Sequence, residues 1–204
     1  RPELAFQYLS TSAKDDVGLY SAVVTLAANS YPGDPGAIQN AARPLSVEAR
    51  KFLARYFILN SMMTEEMRAF LLGEDLSDTE KHALVDDLLD LREFRLAREV
   101  WASTSDRAGE DTSQLIFDGG FENIGYSDEG QFGWQVDQSV AGTSVVRSVG
   151  NPRSGSFAVE IKFAGKVDVG RRIISQLVYL EPNNDYRLGF FYRSKEMVTD
   201  GPPY

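Results

Sequence analysis

The spacing of apolar residues changes once along this chain, near residue 105, and that change limits the fold more than any other feature. Before it, apolar residues recur every three or four positions, as they do on amphipathic helices. After it, they alternate with polar residues, as they do on half-buried strands. The sequence therefore predicts a helical domain at residues 1–105, a polar linker at 106–113 and a β-domain at 114–204.

The helical part reads as short helices joined by short turns. Its stripes begin with Leu4, Tyr8 and Leu9, and continue with Leu19, Tyr20, Val23, Val24 and Ala27. Ser77 and Glu80 form a capping box before another helix. Such elements predict antiparallel helical hairpins stacked as in a solenoid. The layout resembles the tetratricopeptide-type repeats of bacterial envelope and polysaccharide-cluster proteins, with residues 33–35 ("GDP") similar to their inter-repeat turns.

Three stretches of the β-part alternate strongly enough to predict strands. They are "SFAVEIKF" (156–163), "RIISQLVYL" (172–180) and "DYRLGFFYRS" (185–194). Turn residues separate them, so an all-β sandwich is predicted. Gln176 lies on the inward face of its predicted strand between Ile174 and Val178, and its amide is expected to bond to a nearby backbone.

Bulk composition excludes several functions. The net charge of -9 over 204 residues argues against a nucleic-acid partner, and the absence of cysteine rules out a thiol nucleophile. No apolar run approaches the roughly 20 residues of a membrane span. Because the chain starts at Arg1 without a methionine, we expect a piece that lacks its native N-terminus.

An ordered series of motifs in the β-part resembles the jelly-roll carbohydrate-binding modules of the family 4/9 type. The stretch "LIFDGGFEN" (115–123) matches their opening motif, and Trp134 matches the strand that follows. "GS" at 155–156 matches the next strand. The long pair of strands is matched by Gln176, Val178, Leu180, Pro182, Tyr186, Leu188 and Phe190. The paired glycines are expected to permit a left-handed or closely packed backbone, which turns Phe121 into the sandwich.

The resemblance implies a non-catalytic protein that binds a polysaccharide or oligosaccharide. Aromatic rings would stack on sugar rings, and polar side chains would bind hydroxyl groups. The candidates are Tyr126, Phe132, Trp134, Tyr179, Arg193 and Tyr204. Trp134 is open to two interpretations, a core residue or a sugar platform. The family often holds a structural calcium near its first strand, for which Asp118 and Glu122 are the candidate ligands.

Catalysis finds little support in the sequence. The single histidine, His82, lies within a predicted helix, and no Gly-x-Ser-x-Gly or Walker A motif occurs. Asp118 with Glu122, or Asp128 with Glu129, could serve as a glycosidase pair only if a cleft separated them. We therefore expect no enzyme.

The alternative to sugar binding is an interaction scaffold, in which the helical hairpins bind another protein and the β-domain is purely structural. A jelly roll needs about eight strands. The β-part supplies five or six, so C-terminal residues or another chain are expected to complete it. Sugar binding favours an extracytoplasmic setting, periplasmic or secreted.

Overall fold

The chain divides into two compact units, residues 1–114 and 115–204. The computed structural model describes residues 2–107, 111–124, 132–165 and 170–196. The first unit is helical and the second contains the strands, so the fold is mixed α and β. None of the helices in these ranges combines the length and apolar content that a membrane span requires.

Seven α-helices make up the described part of the first unit. They are α1 Pro2–Ser12, α2 Val17–Ser30, α3 Pro35–Ala42, α4 Val47–Leu59, α5 Glu65–Leu72, α6 Asp78–Asp90 and α7 Phe94–Ala102. A short 3-10 helix, Ser105–Arg107, follows them.

Side-chain caps fix where most of these helices begin. The side chains of five N-cap residues accept a hydrogen bond from a backbone N–H in the first turn: Asp16, Asp34, Ser46, Thr64 and Ser77. The capping box of Ser77 and Glu80 is confirmed. Helix α3 was not predicted from apolar spacing, although Asp34 followed by Pro35 is a strong start signal.

Neighbouring and next-neighbouring helices stack against one another. Helix α1 contacts both α2 and α3, α2 also contacts α4, and α5 contacts α7. A buried hydrogen bond supports this stacking, because the Ser10 hydroxyl donates to the Ala42 carbonyl oxygen at 2.7 Å. The solenoid of antiparallel hairpins stays a prediction.

The predicted apolar stripe of α1 is wrong. Leu4, Tyr8 and Leu9 are exposed, whereas Phe6 and Ala13 are buried. The orientation follows from α1 packing on two neighbours. Its inner face carries Phe6, which meets Tyr31 at 6.2 Å between ring centroids, and Ser10.

One buried cation joins three helices. The Lys81 side chain of α6 is 4% exposed, and its Nζ donates to the carbonyl oxygens of Leu72 at 3.3 Å and Ser103 at 2.8 Å. Both carbonyls lie at helix C-terminal ends, where a positive charge is favourable. Lys81 therefore fixes the ends of α5 and α7 against α6.

Two small antiparallel sheets lie in the described part of the second unit. They contain β1 Gln135–Val136, β2 Thr143–Ser148, β3 Ala158–Phe163 and β4 Ile174–Ser175. Strand β1 pairs with β4, and β2 pairs with β3 in a register that places Val145 opposite Ile161. The described residues do not show a complete jelly-roll sandwich.

Two strand predictions in this unit are corrected. Within residues 172–180 only Ile174–Ser175 is a strand, and residues 185–194 contain none. Leu188 and Phe190, which alternation placed on one face of the predicted strand, are exposed. The physical reason is that a strand needs a neighbouring backbone for its hydrogen bonds, and no backbone ladder reaches residues 185–194 from the described chain.

Candidate functional site

The opening motif is fixed to the second unit by a side-chain amide. The backbone N–H of Phe117 donates to Gln176 Oε1 at 3.2 Å, and Gln176 Nε2 donates to the Phe117 carbonyl oxygen at 2.8 Å. The predicted backbone partner of Gln176 is thus confirmed as Phe117. The exchange leaves Phe117 buried and sets the position of the residues that follow it.

Asp118 organises the turn after Phe117. Its carboxylate accepts the backbone N–H of Glu122 at 2.7 Å and of Asn123 at 2.9 Å. The left-handed backbone predicted for the two glycines occurs instead at Asp118, with φ 44°, and at Phe121, with φ 60°. The carboxylate bonds of Asp118 stabilise a conformation that non-glycine residues rarely adopt.

Trp134 packs against this turn. Its indole Nε1–H donates to the Asp118 carbonyl oxygen at 2.9 Å, and its ring lies 4.9 Å from that of Phe121. The side chain is half-buried. Of the two interpretations offered by the sequence, this geometry favours core packing over a free sugar platform.

Glu122 connects the opening motif to the start of β3. Its carboxylate accepts the backbone N–H of Ser156 at 3.0 Å and of Phe157 at 3.3 Å. Arg147 donates to the Glu122 carbonyl oxygen and places its guanidinium 3.8 Å from the centre of the Phe157 ring. Glu122 therefore holds the turn at residues 150–155 in place.

Next to that turn lies an exposed group of side chains, which we call the arginine–aromatic cluster: Arg153 of the turn, with Phe191 and Arg193 of the segment at residues 185–194. The Arg153 guanidinium lies 3.8 Å from the centroid of the Phe191 ring. Arg193 Nη2 donates to the Gly150 carbonyl oxygen. Phe191 remains 76% exposed, so most of its ring surface faces solvent.

The cluster is positively charged and unneutralised. In the ranges that the structure describes, neither Arg153 nor Arg193 forms a salt bridge. Arg171 of the same unit, by contrast, lies 3.5 Å from the carboxylate of Asp137. The open face of the Phe191 ring can stack on an apolar ligand face, and the two guanidinium groups can donate several hydrogen bonds.

The structure brings one of the predicted sugar-binding residues, Arg193, into this cluster. Tyr179 is half-buried, and its hydroxyl donates to Glu181 at 3.1 Å. Phe132 is buried. Tyr126 and Tyr204 lie outside the described residues.

Apolar spacing gave no sign that Phe191 and Arg153 form a site. Phe191 follows the matched Phe190, and alternation placed it only on the opposite face of the predicted strand. Arg153 is 38 positions earlier in the printed sequence, in a turn without regular periodicity. The one available signal was the arginine in "PRSGS", which precedes a motif already assigned to the fold.

The proposed calcium ligands are engaged with the backbone. Asp118 and Glu122 both accept backbone N–H groups, as described above. Within the described part of the chain, no three His, Asp or Glu side chains gather in a group that could hold a metal ion. The described residues therefore neither support nor exclude the possible calcium site.

The same hydrogen bonds bear on the glycosidase pairs. Asp118 and Glu122 belong to one turn, with the Asp118 carboxylate 2.7 Å from the backbone nitrogen of Glu122. Asp128 and Glu129 lie outside the described residues.

Comparison with models of known families, with curated proteins and with solved structures finds no match to this chain.

Proposed function

We propose that the protein binds a polysaccharide without catalysis, through the arginine–aromatic cluster of its second unit, while the helical unit serves as a scaffold. The observation that carries the proposal is the exposed Phe191 ring with the Arg153 guanidinium 3.8 Å from its centroid. The proposal includes a jelly-roll architecture for the second unit and an extracytoplasmic setting.

The chemistry of sugars supports this surface. A pyranose ring has an apolar face of C–H groups, which stacks on an aromatic ring, and a rim of hydroxyl groups, which accept hydrogen bonds. Phe191 offers the ring face that Arg153 leaves open, while Arg153 and Arg193 offer N–H donors. Phe191 is 76% exposed, and a ligand that covers its ring removes this apolar surface from water.

The ordered motifs give a second line of support. Residues that match the family pattern form contacts with one another, including Phe121 with Trp134 and Glu122 with Ser156. These contacts join the opening motif to the turn that presents Arg153. The matched residues thus act in this proposal as the support of the site.

Affinity electrophoresis of the full chain through gels that contain different polysaccharides tests the proposal. Phe191→Ala should abolish retention in the gel that retards the parent protein. Leu188→Ala is the matched control, because Leu188 is 74% exposed on the same segment and lies outside the arginine–aromatic cluster. Retention that survives Phe191→Ala unchanged, or no retention in any gel, would contradict the proposal.

The second candidate is a protein-interaction scaffold, and one observation favours it. Helix α2 exposes Leu19 and Leu26, and the neighbouring α1 exposes Tyr8. These side chains give the helical unit an apolar surface of the kind that binds proteins. The same gels separate the candidates, since a scaffold with a structural β-domain is retained by none of them.

A further inference from the structure

We infer that the arginine–aromatic cluster selects acidic polysaccharides, and that it recognises the carboxylate of a uronic acid residue. The inference rests on the proposed function and names the ligand class of that same site. It follows from the charge, the geometry and the exposure of Arg153, Phe191 and Arg193.

Charge is the first step. The protein carries 30 Asp and Glu against 21 Lys and Arg, so acidic partners are in excess. Several arginines use them: Arg50 pairs with Asp75 at 2.9 Å and Arg68 with Glu99 at 2.7 Å. Over the described ranges, Arg153 and Arg193 stay without a carboxylate. Their charge is available to a ligand.

Geometry is the second step. Arg193 is held by the Gly150 carbonyl oxygen, and Arg153 is held against the Phe191 ring. One bond to a carbonyl leaves most of the five guanidinium N–H donors free to meet a carboxylate. Because each planar guanidinium group is already held in position, it loses little conformational entropy when it forms two parallel hydrogen bonds to a carboxylate.

The shape of a uronic acid fits this arrangement. Its pyranose ring has an apolar face, and its carboxylate projects from the rim of the same ring. If the apolar face stacks on the side of the Phe191 ring that Arg153 does not cover, the carboxylate at the rim of the sugar extends past the ring towards the guanidinium groups. A neutral hexose offers only a hydroxyl at that position, and a neutral acceptor bonds more weakly to arginine.

The protein's overall charge decides how the test is designed. At long range a net charge of -9 repels a polyanion, whereas the cluster attracts it at contact. Salt screens both effects, so salt dependence alone is ambiguous. Chemical neutralisation of the ligand is the sharper comparison, because it changes the carboxylate and leaves the sugar ring intact.

The experiment measures retention and affinity of the full chain with polygalacturonate, alginate and hyaluronate, each beside its methyl ester. Neutral polysaccharides and dextran sulfate complete the panel. We expect at least one free acid to bind about tenfold or more tightly than its ester, the factor that follows from hydrogen bonds to a charged group. Arg153→Gln and Arg193→Gln should each weaken that binding by about the same factor.

Arg171→Gln is the matched control, because Arg171 is an exposed arginine of the same unit whose charge is paired with Asp137. It should leave affinity unchanged. Thermal unfolding of all three variants shows whether each is folded. A loss of affinity in the Arg171 variant equal to that in the Arg153 variant would overturn the assignment of the cluster.

Three outcomes separate the inference from the function on which it rests. Equal binding of the free acids and their esters, or binding of neutral polysaccharides alone, overturns the inference and leaves sugar binding intact. If dextran sulfate binds and no carboxylate polymer does, the recognised group is a sulfate, and the inference is also overturned. If no polymer binds, both the inference and the proposed function are overturned.

Discussion

The carboxylate of Glu122 accepts a hydrogen bond from the backbone N–H of Ser156, 34 positions later in the chain, at 3.0 Å. A second backbone N–H, that of Phe157, reaches the same carboxylate at 3.3 Å. Glu122 therefore does for a turn what an N-cap does for a helix, and it joins the opening motif to the turn that presents the candidate ligand site.

Glu122→Gln should destabilise the second unit and weaken polysaccharide binding together. The amide keeps one acceptor oxygen and loses the charge, so we expect a decrease of about 1 kcal/mol in the free energy of unfolding. Urea denaturation followed by tryptophan fluorescence measures it, because Trp134 reports on the second unit and Trp101 on the first. Glu160→Gln is the control, because Glu160 is exposed and its ion pair among the described residues is with Lys162, at 3.5 Å. Equal losses in the two variants would contradict the role of Glu122.

Gly155→Ala should be more costly than the same change at another left-handed glycine. Gly155 has φ +67°, and an added Cβ would overlap the Glu122 carboxylate. Gly165 has φ +84°, and no atom of the described chain would meet its Cβ within 4 Å. Both alanines carry the cost of the left-handed backbone, and only Gly155→Ala also pushes the Glu122 carboxylate away from the backbone N–H groups of Ser156 and Phe157.

We expect Gly155→Ala to lose about 1 kcal/mol or more beyond Gly165→Ala. Thermal unfolding of the two variants side by side provides the measurement. A larger loss at Gly165 would show that the turn at residue 155 tolerates a side chain.

How far the sequence predicts this structure depends on how local each signal is. Caps such as Ser77 with Glu80, and the apolar spacing of α2, act within a few residues and were predicted. The burial of Lys81 was not predicted, because its two carbonyl partners lie at the C-terminal ends of helices α5 and α7. A charged residue within a helix gives no sign that other helix ends surround it.

The same limit applies to the candidate site. Gln176 was expected to bond to a backbone, since a polar group between apolar residues requires a partner. The pairing of Arg153 with Phe191 depends instead on the path of a turn and of an extended segment. Alternation predicted a strand at residues 185–194, but periodicity does not report whether a neighbouring strand is present.

Calcium should leave the stability of the protein unchanged. The carboxylates of Asp118 and Glu122 already accept backbone N–H groups, whereas calcium takes 6 to 8 oxygen ligands. A site filled at 100 times its dissociation constant adds about 2.7 kcal/mol, or about 10 °C in Tm for a small domain. We expect no such shift between EDTA and millimolar calcium, with magnesium as control. A rise specific to calcium that Asp118→Asn removes would establish the site.

Glu80 should give the helical unit a pH dependence on the acid side. Hydrogen bonds from Lys51 and then from Ser77 lower the pKa of Glu80 to about 2. Because the folded-state pKa lies below the unfolded value of about 4.3, the stabilisation is present above that value and is lost as pH falls towards 2. Glu80→Gln should flatten the curve of stability against pH in that window.

Glu66→Gln is the control for this prediction, because Glu66 also lies in the first turn of a helix and is exposed. Urea midpoints measured from pH 2.5 to 6 compare the two variants with the parent. Parallel curves for Glu80→Gln and the parent would contradict the assignment.

Tyr20→Phe should be neutral or stabilising, and it should remove a loss of stability in alkali. The Tyr20 side chain is 1% exposed, it meets the Phe52 ring edge-on at 6.1 Å, and its hydroxyl has no hydrogen-bond partner among the described residues. Removal of an unsatisfied buried hydroxyl gains up to about 1 kcal/mol.

The alkaline effect of Tyr20 follows from its pKa. Burial raises the pKa of Tyr20 above its ordinary value of 10.0, so above that pH the unfolded chain releases the proton while the folded protein keeps it. Stability then falls as pH rises beyond about 10, and Tyr20→Phe should show a smaller fall. Tyr8→Phe is the control, since Tyr8 is 73% exposed. A loss of more than about 1 kcal/mol at pH 7 in the Tyr20 variant would show that its hydroxyl is bonded after all.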